Sequence, residues 1–381
     1  MRQISRILVF QLCLLVLSSH GWTEILQRPA YVQGITQTEA RIIWFTKKIS
    51  DSALRYRLMS EPNNWLEIKD DSGKTRHEVT LTNLIADSTY CYEVLGSSSG
   101  CVPFRTAPPN DSPKEVRFAV IGDSGFGNKE QKQIADLLYS WKPDAVLHVG
   151  DIVYPDGEFK HYDPTFFEPY AALLPSVPFY PAVGNHDAAR IGTFLHFFSP
   201  PRNHLAAFSK RFYNFQFGPV HFIVLDSNVP LAPGSPQAEW LQQTLNSPAA
   251  KESIWRVAFF HHPPYSAAKR GNRPQLIQEL LPVLESSNVQ LVLSGHDHCY
   301  QRLEPPPVTQ GHQSKITYLV SGGGGASLSK QAAQPEYLKA YGATYHYLEL
   351  TADQSRLGIT ARTVDGTSID QFFITQAPAQ N

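Results

Sequence analysis

Five short runs of the chain end in residues that bind metals or move protons. They are Phe118-Ala119-Val120-Ile121-Gly122-Asp123, Val146-Leu147-His148-Val149-Gly150-Asp151, Tyr180-Pro181-Ala182-Val183-Gly184-Asn185-His186-Asp187, Val257-Ala258-Phe259-Phe260-His261-His262 and Leu291-Val292-Leu293-Ser294-Gly295-His296-Asp297-His298. Each begins as a short apolar, β-prone segment, which predicts a buried strand. In open α/β sheets, ligands sit outside the carboxyl ends of the strands. One Gly-Asp or Asn-His pair is ordinary turn chemistry; five such ends in one chain predict a shared site. Asp123, Asp151, Asn185, His261, His296 and His298 together offer three oxygen and three nitrogen donors. That is too many for one tetrahedral zinc and too hard a set for a thiolate site. Two ions about 3.5–4 Å apart would use them all if one carboxylate bridged, with Asp151 as the bridge. On an extended His296-Asp297-His298 segment both imidazoles would share a side, leaving Asp297 to orient a ring from behind.

The elements that must hold these residues follow from the rest of the pattern. Residues 24–107 alternate apolar and polar positions in short runs such as Ala40–Phe45, His77–Leu81 and Thr89–Val94, which predicts an antiparallel β-sandwich. A connector, Ala107-Pro108-Pro109-Asn110-Asp111-Ser112-Pro113, marks the boundary. From residue 114 to 376 strands alternate with helical spacing at Lys129–Trp141, Thr165–Leu174, Gln237–Leu245 and Pro274–Leu284, and strands dominate after His298. Stacked mixed sheets with helices outside are expected, an α/β architecture of four αββα layers. Gly322-Gly323-Gly324-Gly325 lacks the Lys-Ser/Thr of a P-loop and reads as a tight turn near the site.

Composition sets the outer bounds. The 381 residues are 42% hydrophobic and 18% charged, a globular make-up, and 33 basic residues nearly balance 34 acidic ones. This balance argues against nucleic acid or a membrane surface as the main partner. Residues 1–22 read as a secretory signal peptide: Arg2 and Arg6 precede an apolar run, Ile7 to Leu17, of about 11 residues. A bilayer span needs about 20, so a secreted or periplasmic protein without a membrane span is expected. In an oxidising compartment Cys91 and Cys101 are expected to pair, leaving Cys299 as a buried, inert thiol.

Taken together, Gly122-Asp123-x-Gly125, Gly150-Asp151-x-x-Tyr154, Gly184-Asn185-His186-Asp187, Val257 through His261-x-Pro263 and Gly295-His296-x-His298 resemble the signature of the calcineurin-like metallophosphoesterases. Tyr154, three residues after Asp151, is the mark of the purple acid phosphatases, and the segment Leu81–Tyr92 resembles the corner of a fibronectin type III domain. One departure is that Val257 stands four residues before His261, farther than in the family pattern. The step to Pro263 favours His261 as the ligand, with His262 as the alternative and otherwise turned towards substrate.

The resemblance implies a ferric ion on Asp123, Asp151, Tyr154 and His298, and Fe(II), zinc or manganese on Asp151, Asn185, His261 and His296. It implies hydrolysis of small phosphate monoesters by in-line attack of a metal-bound hydroxide. His186 would hold the phosphoryl oxygens or protonate the leaving alkoxide, and Asp187 would orient it or touch substrate. A phosphodiesterase or nucleotide-phosphate hydrolase on the same centre is the nearest alternative, and a β-domain binding protein with a vestigial site the more distant one. His148, His161, Arg202, His204 and His346 are weaker candidates for the pocket wall, and Asp226 reads as a structural strand end.

Overall fold

The computed structural model describes residues 26–311 and 316–376; the expected signal peptide lies outside them. Five antiparallel strands come first: β1 (Leu26–Gln33), β2 (Ala40–Leu58), β3 (Leu66–Leu81), β4 (Thr89–Val94) and β5 (Val102–Arg105). β2 is far longer than the run Ala40–Phe45 suggested. Its first half pairs β1 and its second half pairs β4, while β3 follows it through register shifts between Phe45 and Ser52. The two halves enclose a core of Val32, Ile42, Trp44, Leu54, Tyr92 and Phe104. Cys91 of β4 is joined by a disulfide to Cys101, the residue just before β5.

Alternate residues of β1 and β2 face the other way, because both sides of these strands are covered. Tyr31, Ile43 and Phe45 pack with Tyr162, Phe166, Phe167 and Phe197 of the larger part of the chain. Arg28 lies among the rings of Phe45, Phe167 and Phe197 and pairs with Asp163 at 2.9 Å. Val32 donates to the carbonyl of Leu174, and the Tyr31 hydroxyl to that of Phe197. These contacts seat the β-layer on the segment 162–198.

The remainder is built on two facing sheets. One runs β18-β17-β16-β6-β7-β8 and the other β15-β13-β14-β12-β11-β10-β9. Their strands are β6 (Val116–Ile121), β7 (Ala145–His148), β8 (Phe179–Pro181), β9 (Tyr213–Phe217), β10 (Val220–Val224), β11 (Trp255–Phe259), β12 (Leu291–Ser294), β13 (Tyr300–Leu303), β14 (Thr317–Ser321), β15 (Leu338–Gly342), β16 (His346–Ala352), β17 (Arg356–Thr363) and β18 (Ser368–Thr375). Val120, Leu147, Phe222, Val257, Phe259, Leu293 and Leu348 fill the space between the sheets. The outer faces are covered by helices: Ile134 and Leu138 on one side, Trp240, Leu241, Leu281 and Leu284 on the other. The four-layer expectation is met.

Two helical expectations change in detail, both at prolines. Pro274–Leu284 divides into Pro274–Glu279 and Leu281–Ser286, because Pro282 has no N–H to donate and restricts the residue before it. Thr165–Leu174 becomes a π-helical turn, Asp163–Phe167, followed by open turns from Glu168 onward, beside Pro169. Lys129–Trp141 forms as expected, capped by the Asn128 side chain on the Gln131 N–H and closed by Lys142 at φ 57°.

Candidate metal centre

β6, β7 and β8 are parallel neighbours in one sheet, and β11, β12 and β14 in the other. Their carboxyl ends therefore gather at one place. Three of them close with a glycine and then a residue in the left-handed region: Asp123 at φ 56°, Asp151 at φ 55° and His296 at φ 70°. Side chains rarely hold that conformation without other constraints. Here the backbone turns sharply after the strand and aims each donor inward. Gly184 has no substitute, since a Cβ there would collide with the backbone and carboxylate of Asp151. Gly150, at φ 98°, lies where a Cβ would come within 2.7 Å of His261 Nδ1.

The turns brace one another. Asp123 N–H donates to the carbonyl of Gly150 and Gly295 N–H to that of His261, both at 3.0 Å. His186 N–H donates to Asp151 Oδ1 and His296 N–H to Asp123 Oδ2, both at 2.9 Å. The glycine run packs against the same loop, with Gly324 N–H on the carbonyl of Gly122.

Inside this frame the expected donors converge. The Tyr154 hydroxyl donates to Asp151 Oδ2 at 3.0 Å and to Asp123 Oδ1 at 3.2 Å. His261 Nε2 lies 3.2 Å from Asp151 Oδ2 and 3.1 Å from Asn185 Oδ1. His298 Nε2 lies 3.4 Å from Asp123 Oδ1, and His296 Nδ1 lies 3.2 Å from His261 Nε2. The Asp123, Asp151 and His261 atoms fall within 4.8 Å of one another, as do those of His261, His262 and His296. Asp123, Asp151 and His261 are buried. Packing anionic oxygens and unshielded imidazole nitrogens this closely out of water is costly without a cation among them, so the donor set fits divalent or trivalent ions. His261 and His298 are also held from behind in the manner of ligands: their Nδ1 atoms meet the carbonyls of Val149 and Ser327 at 2.9 and 2.7 Å.

Electrostatics follow from burial. Burial disfavours a charged imidazole at His261, yet the Asp151 carboxylate beside it wins and raises the group to about 9. Burial likewise opposes ionisation of Asp151, but the His261 charge and hydrogen bonds hold it below the usual carboxylate range. Burial and the two flanking carboxylates push the Tyr154 phenol far above its ordinary value.

Other expectations are revised by the geometry. The His296-Asp297-His298 segment is a bend between β12 and β13, so the two imidazoles do not alternate along a strand. Asp297 orients no ring; its carboxylate takes the Ser266 hydroxyl at 2.6 Å and Arg270 at 3.1 Å, holding the loop that follows β11. Asp187 is fully buried, with its carboxylate on the N–H groups of Ile152 and Gly184 and not on the His186 ring. Its acid is pushed up by burial and by Asp151. His186 stands at the mouth, its ring 4.3 Å from that of Tyr154 and its Nε2 3.8 Å from Asp151 Oδ2.

His262 is bonded through Nδ1 to the Ser227 hydroxyl at 2.8 Å and lines a cavity of about 290 Å³ with Asn228, Leu231, Arg273 and Leu276. His148 and His346 are buried core residues, and Arg202 is drawn to Glu78. Asp226 pairs with Arg211, and Cys299 is buried, its thiol pushed up to about 11. Arg270 and Arg273 were not singled out by sequence reasoning; their signal was two guanidinium groups in the loop just after His261-His262-Pro263-Pro264.

Comparison with known proteins agrees with this architecture. Residues 116–300 match the calcineurin-like phosphoesterase family. The chain is 28% identical over 268 residues to the probable purple acid phosphatase 20 of Arabidopsis thaliana, covering 65% of this chain and 60% of that protein. It is 29% identical over 281 residues to purple acid phosphatase 18 of the same plant, covering 69% and 63%. The matches thus span less than two thirds of those two relatives' lengths. The structure of the purple acid phosphatase PPD1 from yellow lupin (Lupinus luteus) seeds shares the fold, with a TM-score of 0.76 at 19% identity over 92% of this chain and 74% of that one. Residues 116–300 thus carry a calcineurin-like phosphoesterase domain, and the chain as a whole is similar to plant purple acid phosphatases in sequence and shares the fold of the lupin enzyme.

Proposed function

We propose that this chain is an exported phosphatase that hydrolyses small phosphate monoesters at a two-metal centre. The observation that supports this most is the position of Asp151 Oδ2, which meets the Tyr154 hydroxyl on one side and His261 Nε2 on the other. One carboxylate so placed serves two clusters of donors. Asp123, Tyr154 and His298 form the harder cluster and suit a ferric ion; Asn185, His261 and His296 suit Fe(II), zinc or manganese. Such ions, when bound, neutralise the phosphate charge and acidify a water molecule to supply the nucleophile.

The protein groups do the rest. Asp151 and Asp123 are held by backbone N–H groups so that their remaining oxygens point into the site. Asp187 fixes the Asp151 and Asn185 turns relative to each other. His186 is half-exposed at the mouth, where it can donate to a phosphoryl oxygen or return a proton to the leaving alkoxide.

The test is metal analysis of the purified protein with turnover of an aryl phosphate, beside Asp151→Asn. Two metals per chain, hydrolysis, and loss of both in the variant are the expected results. Cleavage of diesters without monoesters would move the reading to a phosphodiesterase. A protein that binds neither iron, zinc nor manganese and hydrolyses nothing would refute it and direct attention to partners of the β-layer.

A further inference from the structure

His296 differs from the other two imidazoles of the centre in what stands behind it. Its Nδ1 faces inward, 3.2 Å from His261 Nε2, while its Nε2 meets Arg273 NH2 at 2.8 Å. A guanidinium has donors only, so Nε2 presents its lone pair and the neutral ring carries its proton on Nδ1. A ring in that tautomer cannot ligate through the nitrogen that faces the site. His261 and His298 have carbonyls behind them and no such conflict.

Ligation by His296 Nδ1 therefore requires Arg273 to withdraw. The surroundings give the guanidinium somewhere to go. Arg273 lines the cavity of about 290 Å³ that also contains His262, Ser227 and Asn228. Among the described residues its side chain makes no hydrogen bond other than that to His296, and no carboxylate lies within ion-pair distance of it. Arg270, its neighbour, is already engaged by Asp297 and the His296 carbonyl. Glu279, the carboxylate in the cavity lining, accepts from Gln275.

We propose that Arg273 is a substrate-binding residue: it leaves His296 when that ring takes up a metal ion, and its guanidinium then holds phosphoryl oxygens of the substrate at the cavity side of the centre. The inference rests on the two-metal reading above. A planar fork of donors matches a phosphate dianion, and a device of this kind links metal loading to anion affinity.

The experiment compares wild type, Arg273→Gln and Arg273→Lys, measuring metal content, the dissociation constant for inorganic phosphate and the kinetics of an aryl phosphate. The expected result for Arg273→Gln is full metal content, phosphate binding weaker by roughly 10- to 100-fold and KM raised to match. The lysine variant should recover part of this. Three results would overturn the proposal: unchanged phosphate affinity in Arg273→Gln, loss of metal from that variant, or a fall in kcat with KM and phosphate binding intact. A wild type that binds no metal would instead refute the two-metal reading, a separate outcome visible before any variant is made.

Discussion

The carboxylate of Asp187 accepts the backbone N–H of Ile152 at 3.1 Å, and with its other oxygen the N–H of Gly184 at 2.9 Å. One buried side chain thereby ties the turn that carries Asp151 to the turn that carries Asn185. Removing it leaves two buried donors unpaired, at about 1–3 kcal/mol each. Asp187→Ala is expected to lower the melting temperature by several degrees and reduce bound metal. Asp187→Asn, which keeps an acceptor, should lose less. Thermal unfolding with metal analysis checks this; unchanged values in the alanine variant would remove Asp187 from the framework of the site.

Tyr154 predicts a spectroscopic result. A phenolate ligand to ferric iron absorbs visible light by charge transfer, and the hydroxyl lies 3.2 Å from Asp123 Oδ1 and 3.0 Å from Asp151 Oδ2. In Tyr154→Phe the visible band should vanish while the metal at the histidine cluster stays. A band that persists would mean that the tyrosine hydroxyl does not bind iron.

His186 is assigned to the phosphoryl group because it alone among the histidines at the centre stands half-exposed at the mouth. His186→Ala should therefore keep both metals and lose roughly 10²- to 10⁴-fold in kcat, the usual span for general acid–base groups. Steady-state kinetics with metal content decides between this and a packing role, which would leave kcat within a few-fold of wild type.

Acid stability should depend on histidines outside the centre. Burial holds His346 and His221 at about 4, the latter aided by the charge of Arg256. In the unfolded chain each titrates near 6.5. Between these values the unfolded state takes up protons that the folded state refuses, so stability falls as pH drops from 6.5 towards 4. The loss reaches about 3 kcal/mol for each group. Denaturant unfolding at several pH values should show a flatter decline for His346→Gln than for wild type; parallel curves would contradict the assignment.

The sequence by itself determined where the strands end and which donors stand there. Alternating or continuous apolar runs followed by Gly and a polar residue mark β6, β7, β8 and β12, and one followed directly by His261-His262 marks β11, since strand burial is a local pattern and glycine is needed where turns come close. It also determined the all-β start and the order of the layers. Only the tertiary structure decided what lies behind each donor. That Asp187 binds the backbone of Ile152, that Asp297 holds a loop, and that Arg273 stands behind His296 are contacts between residues 20 or more positions apart. No periodicity records which nitrogen of an imidazole faces inward, because that follows from the partner on the opposite side of the ring. The same holds for β2: its residues show a strand, but its length and its two sets of neighbours depend on having apolar surface to cover both of its faces.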